Sequence, residues 1–214
     1  MVRTIVGVIA NADARYEGNL ERYFRLIFEQ SSNAKNPYHN MRHTLHVMME
    51  CYDGAIYYQL APRQFRNLLI AALFHDHNHP GVLIATDDLW IEVAVRGLRK
   101  LVFPYDKPFL EEIENTMRTT EFLAGGHVVH NKDLLPVHAI LRDADMSQSL
   151  SPEWIQQILF GLSAEMRVTP KVMLSMQADF HRTLTFATEW GENKFGPLLE
   201  QKKAEISELI RIME

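Results

Sequence analysis

Cysteine is nearly missing from this chain: Cys51 stands alone among 214 residues. That excludes an intramolecular disulfide framework and a thiolate-based zinc site, and it fits a reducing cytoplasm as the expected location. Positive charge is not in excess either. A formal net charge of -5 and a pI near 6.1 give no broad electrostatic footprint for a phosphate backbone, so no extended nucleic acid is expected as a partner. No stretch approaches the ~20 apolar residues of a membrane span, and no membrane association is expected. The opening apolar run Val2–Ala10 is short and is followed at once by Asn11, Asp13 and Arg15, unlike a signal peptide. Internal repeats, low-complexity tracts and Gly/Ser linkers are lacking, and alternating strand patterns are scarce. Thr4–Ile9 is the best strand candidate, and it could equally start a helix.

What is present is helical. At 47% hydrophobic, a chain of this length can bury a substantial core, and a single domain over 1–214 is expected. Pro37, Pro62, Pro108, Pro136, Pro152, Pro170 and Pro197 each open a segment with apolar residues at three- and four-residue spacing, as proline at a first helical position would. Asn36, Ser151 and Thr169 precede three of them, where an N-cap acceptor belongs. Two more helices are expected over roughly Glu17–Gln30 and Asp87–Leu101. Leu68–Phe74 is apolar nearly all round and reads as a helix buried on every side. Val102–Lys107 and Ala124–Lys132, the latter with Gly125-Gly126, read as loops. The expected fold class is all-α, with about seven to nine helices.

Histidine and aspartate gather at the ends of these helices. His39 and His43 are four apart and would share one face of the helix that Asn36-Pro37 begins. His75 and Asp76 follow the buried helix directly, before Pro80-Gly81 stops it. A His-Asp pair there would bury charge without compensation unless a cation answers it. Adjacent helical residues point about 100° apart, so Asp76 shares an ion with His75 only by reaching sideways, or else bridges towards a second ion. Asp143 or Asp145 would enter from the helix that Pro136 opens. Imidazole and carboxylate together suit Mn, Fe, Zn or Ni, with Mg nearby, and such a site activates water and polarises a phosphoryl oxygen.

Tyr38-His39-Asn40-Met41-Arg42-His43, His75-Asp76-His77-Asn78-His79-Pro80-Gly81 and Ala144-Asp145-Met146-Ser147-Gln148 resemble, in order and spacing, the motifs of the HD-domain metal-dependent phosphohydrolases. The pattern is most similar to the HD enzymes that hydrolyse cyclic nucleotides. Asn78 stands where that family has Asp, and so does His46. Thr119-Thr120-Glu121 looks like a segment near the family's second metal. The resemblance implies an HD-type helical bundle and a metal-dependent phosphoric ester hydrolase acting on a small nucleotide. It implies His43, His75, Asp76 and Asp145 as metal ligands, which favours Asp145 over Asp143. Two divalent metals are implied, with Mn, Fe, Zn or Ni at the first site and Mg or Mn at the second. A hydroxide between the ions would attack phosphorus, His39 would act as general acid, and His79 would position either the partner groups of His39 or the metal-bound water. Gln177, Phe180 and Tyr38 would bind the substrate, Gln177-x-x-Phe180 clamping a purine.

Two rivals remain. A nucleotidase would use the same metals on (deoxy)nucleoside mono- or triphosphates, and would need Arg42, Arg118 or Arg142 for phosphate. A non-catalytic module would bind a nucleotide and signal by contact. Asp88 and Glu92 could hold metal-bound water or form a solvated face. His46, His77, His127, His130, His138 and His181 read as core or surface histidines, and the stretch Met166–Met176 as core. A homodimer stays open.

Overall fold

The computed structural model describes residues 4–16, 18–82, 88–123, 127–128 and 135–213. The fold is all-α. Thr4 accepts the Gly7 N–H on its hydroxyl at 3.1 Å and so starts a helix, not a strand: α1, Ile5–Arg15, which buries Val8, Ile9 and Ala12. Then follow α2 (Leu20–Gln30), α3 (Met41–Tyr57), α4 (Pro62–Phe74), α5 (Asp88–Leu101) and α6 (Leu110–Arg118). After α7 (Pro136–Met146), a π-helical stretch Ile155–Leu162 runs into α8 (Ser163–Met166), before α9 (Pro170–Thr183) and α10 (Glu189–Met213). These are ten α-helices among the described residues, against the seven to nine expected; α1 is the addition. The extended exceptions are two-residue strands, Phe122–Leu123 paired antiparallel with His127–Val128. The expected helix starts at Glu17 and Asp87, and most of the Ala124–Lys132 loop, lie outside the described residues.

Pro62, Pro136 and Pro170 sit at helix starts as the sequence suggests, and Thr169 accepts the Val172 N–H at 3.3 Å. The other prolines behave differently. Pro37 does not open α3: Asn40 does, taking the Arg42 N–H at 2.8 Å. Pro108 lies in a 3-10 turn ahead of α6, and Ser151-Pro152 precedes a turn with no side-chain cap. Pro197 lies inside α10. That helix is started earlier by Thr188, whose hydroxyl accepts the Gly191 N–H at 2.8 Å, and Asp143 holds this start by accepting the Ala187 N–H at 2.8 Å and the Thr188 N–H at 2.9 Å.

Every residue of α4 from Phe65 to Phe74 is buried. Helices α1, α2, α3, α5, α6 and α7 pack round it, and α3 and α7 also pack on each other. The three mutually packed helices α3, α4 and α7 carry all the expected metal ligands at their ends. A second apolar cluster, with Tyr38, Trp154, Ile158, Met173, Leu174 and Ile206, joins the π stretch to α9 and α10. Among the described residues no helix is long and apolar enough to cross a membrane.

The irregular segment after α5 holds a polar anchor. Asp106, fully buried, receives Arg66 at 2.7 and 2.8 Å, Arg63 at 2.9 Å and the Tyr23 hydroxyl at 2.9 Å, and that hydroxyl accepts the Phe103 N–H. Burial alone would raise the Asp106 carboxyl, but Arg66, Tyr23 and Arg63 hold it below its ordinary range. Replacing Asp106 by Ala leaves the buried Arg66 unpaired, which costs about 3–5 kcal/mol. Asp106→Ala should therefore lower the denaturation midpoint strongly at pH 7. The difference should shrink as pH falls through the lowered Asp106 pKa, where the wild type loses the same pairing. Equal stability of variant and wild type at pH 7 would remove this anchor from the account.

Candidate metal centre

His43 lies in the first turn of α3, His75 is the residue that ends α4, Asp76 follows it, and Asp145 lies in the last turn of α7. The turn after α4 closes with the His77 N–H on the Phe74 carbonyl and the His79 N–H on the Asp76 carbonyl, both at 2.9 Å. Asn78 adopts a left-handed φ of 64°, which asparagine tolerates better than most residues. The result brings four donor atoms to one point. His43 Nε2 and His75 Nε2 are 3.2 Å apart. Asp76 Oδ2 is 3.1 Å from each of them. Asp145 Oδ1 is 3.0 Å from His43 Nε2 and 3.6 Å from His75 Nε2. Asp76 thus reaches sideways to the same centre.

These separations fit a coordination shell. Metal–ligand bonds of ~2.1 Å put neighbouring ligands ~3.0 Å apart in an octahedron and ~3.4 Å apart in a tetrahedron. The outer nitrogens are tied back: His43 Nδ1 donates to Gln148 Oε1 at 2.7 Å and His75 Nδ1 to the Ala72 carbonyl at 2.8 Å. Such partners fix ring orientation and leave Nε2 for the ion. Asp76 Oδ2 faces the two imidazoles and no other polar group is recorded against it. His43, His75 and Asp145 form a group that can hold a metal ion. The two imidazoles are almost fully buried, while the Asp76 and Asp145 side chains keep some exposure, so the centre opens to solvent on its carboxylate side.

Protons take the cation's place when the ion is absent. Burial lowers both imidazoles, but the Asp145 and Asp76 carboxylates outweigh it, holding His43 up at about 9 and His75 well above its usual value. Burial opposes ionisation of the acids in turn. The same histidines nonetheless depress Asp145 to about 2 and Asp76 well below the carboxylate range.

A second group, His39, His79 and Glu165, lies beside the first. Gly161 lets the π stretch approach: a Cβ there would lie 2.7 Å from the Pro37 carbonyl oxygen. Glu165, in α8, is thereby brought to the chain before α3. Its Oε1 accepts the Tyr38 and His39 backbone N–H groups at 2.7 and 2.8 Å, and its Oε2 takes His39 Nδ1 at 2.6 Å. His39 therefore sits in the turn ahead of α3 rather than on that helix. The His79 ring lies 3.8 Å from that of His39, centroid to centroid. Burial, then the neighbouring His39, lowers His79 to about 4, so it is neutral. Its Nδ1 accepts the Gly81 N–H at 3.1 Å, which leaves the proton on Nε2. With that nitrogen protonated and Glu165 already holding three donors, this group suits proton handling better than metal binding.

Asp143 is not part of the centre. Besides the backbone N–H groups above it takes the Thr188 hydroxyl at 2.6 Å, and burial raises it to about 6 against those bonds. Tyr38 is buried with its ring 4.7 Å from His39 and 4.9 Å from His43, so it braces both imidazoles. Gln177 lies buried on α9, its amide nitrogen 3.8 Å from Met173 Sδ and its Oε1 without a partner. Phe180 is half-buried against the main core beside His181. Thr119 and Thr120 donate their hydroxyls to backbone carbonyls. Glu92 is paired with Arg118, Asp88 and Arg42 are exposed, and Arg142 is buried. His46 meets Ser147 at 2.9 Å, and burial lowers it to about 4, as it does His77 and His181. His130 lies outside the described residues.

Sequence reasoning missed Glu165 and Gln148. Glu165 follows a π stretch whose register no helical periodicity reveals. Gln148 stood in a quoted motif, but only the fold turns it towards His43. A scan against protein-family models and a search of curated proteins find no match to this chain.

An ion at this centre must displace protons from His43 and His75, so binding should release protons and tighten as pH rises from 6 to 9. The sign follows from the raised pKa: the imidazolium–carboxylate contacts stabilise the metal-free chain below the unfolded value of ~6.5 and are lost as pH rises through about 9. Calorimetry with Mn²⁺ or Zn²⁺ in buffers of different ionisation enthalpy reads the release. Asp145→Ala should abolish the binding, whereas Asp143→Ala should lower thermal stability and keep it. The reverse pattern would exchange their roles.

Proposed function

We propose that the chain is a metal-dependent phosphohydrolase of the HD type that acts on a small nucleotide and cleaves a cyclic-nucleotide-type phosphodiester bond. The observation that carries this reading is the convergence of His43, His75, Asp76 and Asp145 next to an imidazole, His39, held by a buried glutamate. In this reading the four residues would hold Mn, Fe, Zn or Ni, and Asp76 would also serve a second ion, Mg or Mn. Divalent ions there would supply a water of lowered pKa and a Lewis acid for a phosphoryl oxygen.

The chain's own residues handle the proton. Glu165 fixes the His39 ring by accepting Nδ1–H, which leaves Nε2 to deliver a proton to the leaving oxygen. His79 packs against that ring as a neutral N–H donor and Tyr38 braces it from the other side. The nucleotidase reading draws less support. Arg118 is paired with Glu92 and Arg142 is buried, so of its three phosphate-holding candidates Arg42 alone is exposed. A purely binding module has no use for a glutamate-held imidazole beside its metal ligands.

His39→Ala should keep the bound metal and lose turnover of a cyclic nucleotide by ~10²–10⁴-fold, the usual range for a general acid. Bis(p-nitrophenyl) phosphate has a good leaving group that needs little protonation, and its hydrolysis should fall far less. Equal losses on the two substrates, or loss of metal, would take the acid role from His39.

Gln177 and Phe180 carry the nucleotide part of the reading. If a purine stacks on the Phe180 ring, Phe180→Ala should raise KM for the cyclic nucleotide by the equivalent of ~1–3 kcal/mol. Hydrolysis of bis(p-nitrophenyl) phosphate, which has no base, should change little. A joint fall of both activities with the melting temperature would make Phe180 a core residue and leave the phosphohydrolase reading on the metal ligands alone.

A further inference from the structure

The stretch Ser32–Asn36 between α2 and α3, to which the metal reading assigns nothing, grips the turn that carries Asp76 and His79. Asn33 donates its amide to the Asp76 carbonyl at 3.0 Å, and the Ser32 N–H reaches Asn78 Oδ1 at 2.8 Å. Asn36 does more. Its single amide nitrogen donates to the His79 carbonyl at 2.7 Å and to the His39 carbonyl at 3.1 Å. One side chain therefore ties together the backbones of two residues whose rings lie 3.8 Å apart and which are 40 positions apart in the chain. Its oxygen presses on Gly81, where a Cβ would lie 2.7 Å away, and Gly81 holds a left-handed φ of 69°. That conformation aims the Gly81 N–H at His79 Nδ1. The proton of neutral His79 is thus kept on Nε2, towards the site.

We infer that Asn36 is a positioning residue: it sets the register of His39 against His79 and fixes the tautomer of His79, without touching metal or substrate. Its effect on turnover rests on the phosphodiesterase reading above. The ligands themselves do not depend on it, since α3, α4 and α7 are held by the core. Losing Asn36 should therefore separate proton delivery from metal binding.

Asn36→Leu keeps the size and removes both donors, and Asn36→Asp keeps the shape and sets a carboxylate against two carbonyls. Both variants should retain the wild-type metal stoichiometry. Turnover of a 3′,5′-cyclic nucleotide should fall by ~10²-fold, the scale of a reacting group misplaced by about 1 Å. Hydrolysis of bis(p-nitrophenyl) phosphate should fall by less than about threefold. Independently of any activity, imidazole ¹⁵N shifts of the metal-free protein should report His79 as the Nε2–H tautomer in the wild type and as a mixture in both variants. Circular dichroism keeps a misfolded variant from being mistaken for a result, the other variant then deciding. An unchanged His79 tautomer in a folded variant, or equal losses on the two substrates, overturns the inference. A wild type that hydrolyses neither diester with Mn²⁺, Mg²⁺ or Ni²⁺ sinks the phosphodiesterase reading instead, while the tautomer still decides the role of Asn36.

Discussion

Two imidazoles and two carboxylates gather at the edge of a helical core, each carboxylate within 3.6 Å of both imidazoles, and they need positive charge between them. Desolvated carboxylates this close repel each other, and burial disfavours their ionised forms. In the metal-free chain the demand is met by protons on His43 and His75. A divalent ion meets it with a denser charge and a fixed geometry. The rest of the architecture follows from placing these four side chains on different helices and then preventing them from separating. Helix α4 is buried on every side, so its polar end cannot drift, and α3 and α7 are packed on it and on each other. Gln148 and the Ala72 carbonyl stop the two rings from turning.

Helix α7 shows how that rigidity is shared. Asp143 and Asp145 are two residues apart, so they point about 200° from one another round the helix. They cannot both enter the centre. Asp145 faces α3 and α4, while Asp143 faces the start of α10 and takes three hydrogen bonds there. Gly191 has no side chain to intrude, since a Cβ would lie 2.3 Å from the Asp143 carboxylate. One helix end is thus held on both sides by carboxylates with different partners: Asp143 holds the start of α10, and Asp145 meets His43 and His75.

The parts of the fold that the sequence makes legible are those set by local chemistry. Pro62, Pro136 and Thr169-Pro170 mark real helix starts, because a missing N–H and a hydroxyl acceptor act within one turn. The apolar run Leu68–Phe74 marks the central helix because only full burial accounts for it. His43 and His75 are legible as candidate ligands from residue type and order, whereas Asp145 is set above Asp143 only by the resemblance; the fold brings the three together. Where competing partners decide, the local signal misleads. Asn36 looks like a helix cap but gives its amide to the carbonyls of His39 and the distant His79, and Asn40 caps instead. Pro197 looks like a helix start, but Thr188, held by Asp143, has already started α10 upstream. Glu165 is the clearest case: nothing within ten residues of it hints at His39, which lies 126 positions away.

The two polar groups are adjacent yet kept chemically distinct, and hydrogen-bond bookkeeping explains how. In the first, each histidine donates outward through Nδ1 and turns Nε2 inward, so a cation finds lone pairs once the protons leave. In the second, the Gly81 N–H occupies His79 Nδ1 and forces the proton onto Nε2, while Glu165 is filled by two backbone N–H groups and His39. The same residue types, His, His and an acid, thereby form a group that could hold a cation in one place and one that keeps a protonated Nε2 in the other. The difference lies in whether Nδ1 donates, as in His43 and His75, or accepts, as in His79, where the turn geometry at Gly81 aims a backbone N–H at it.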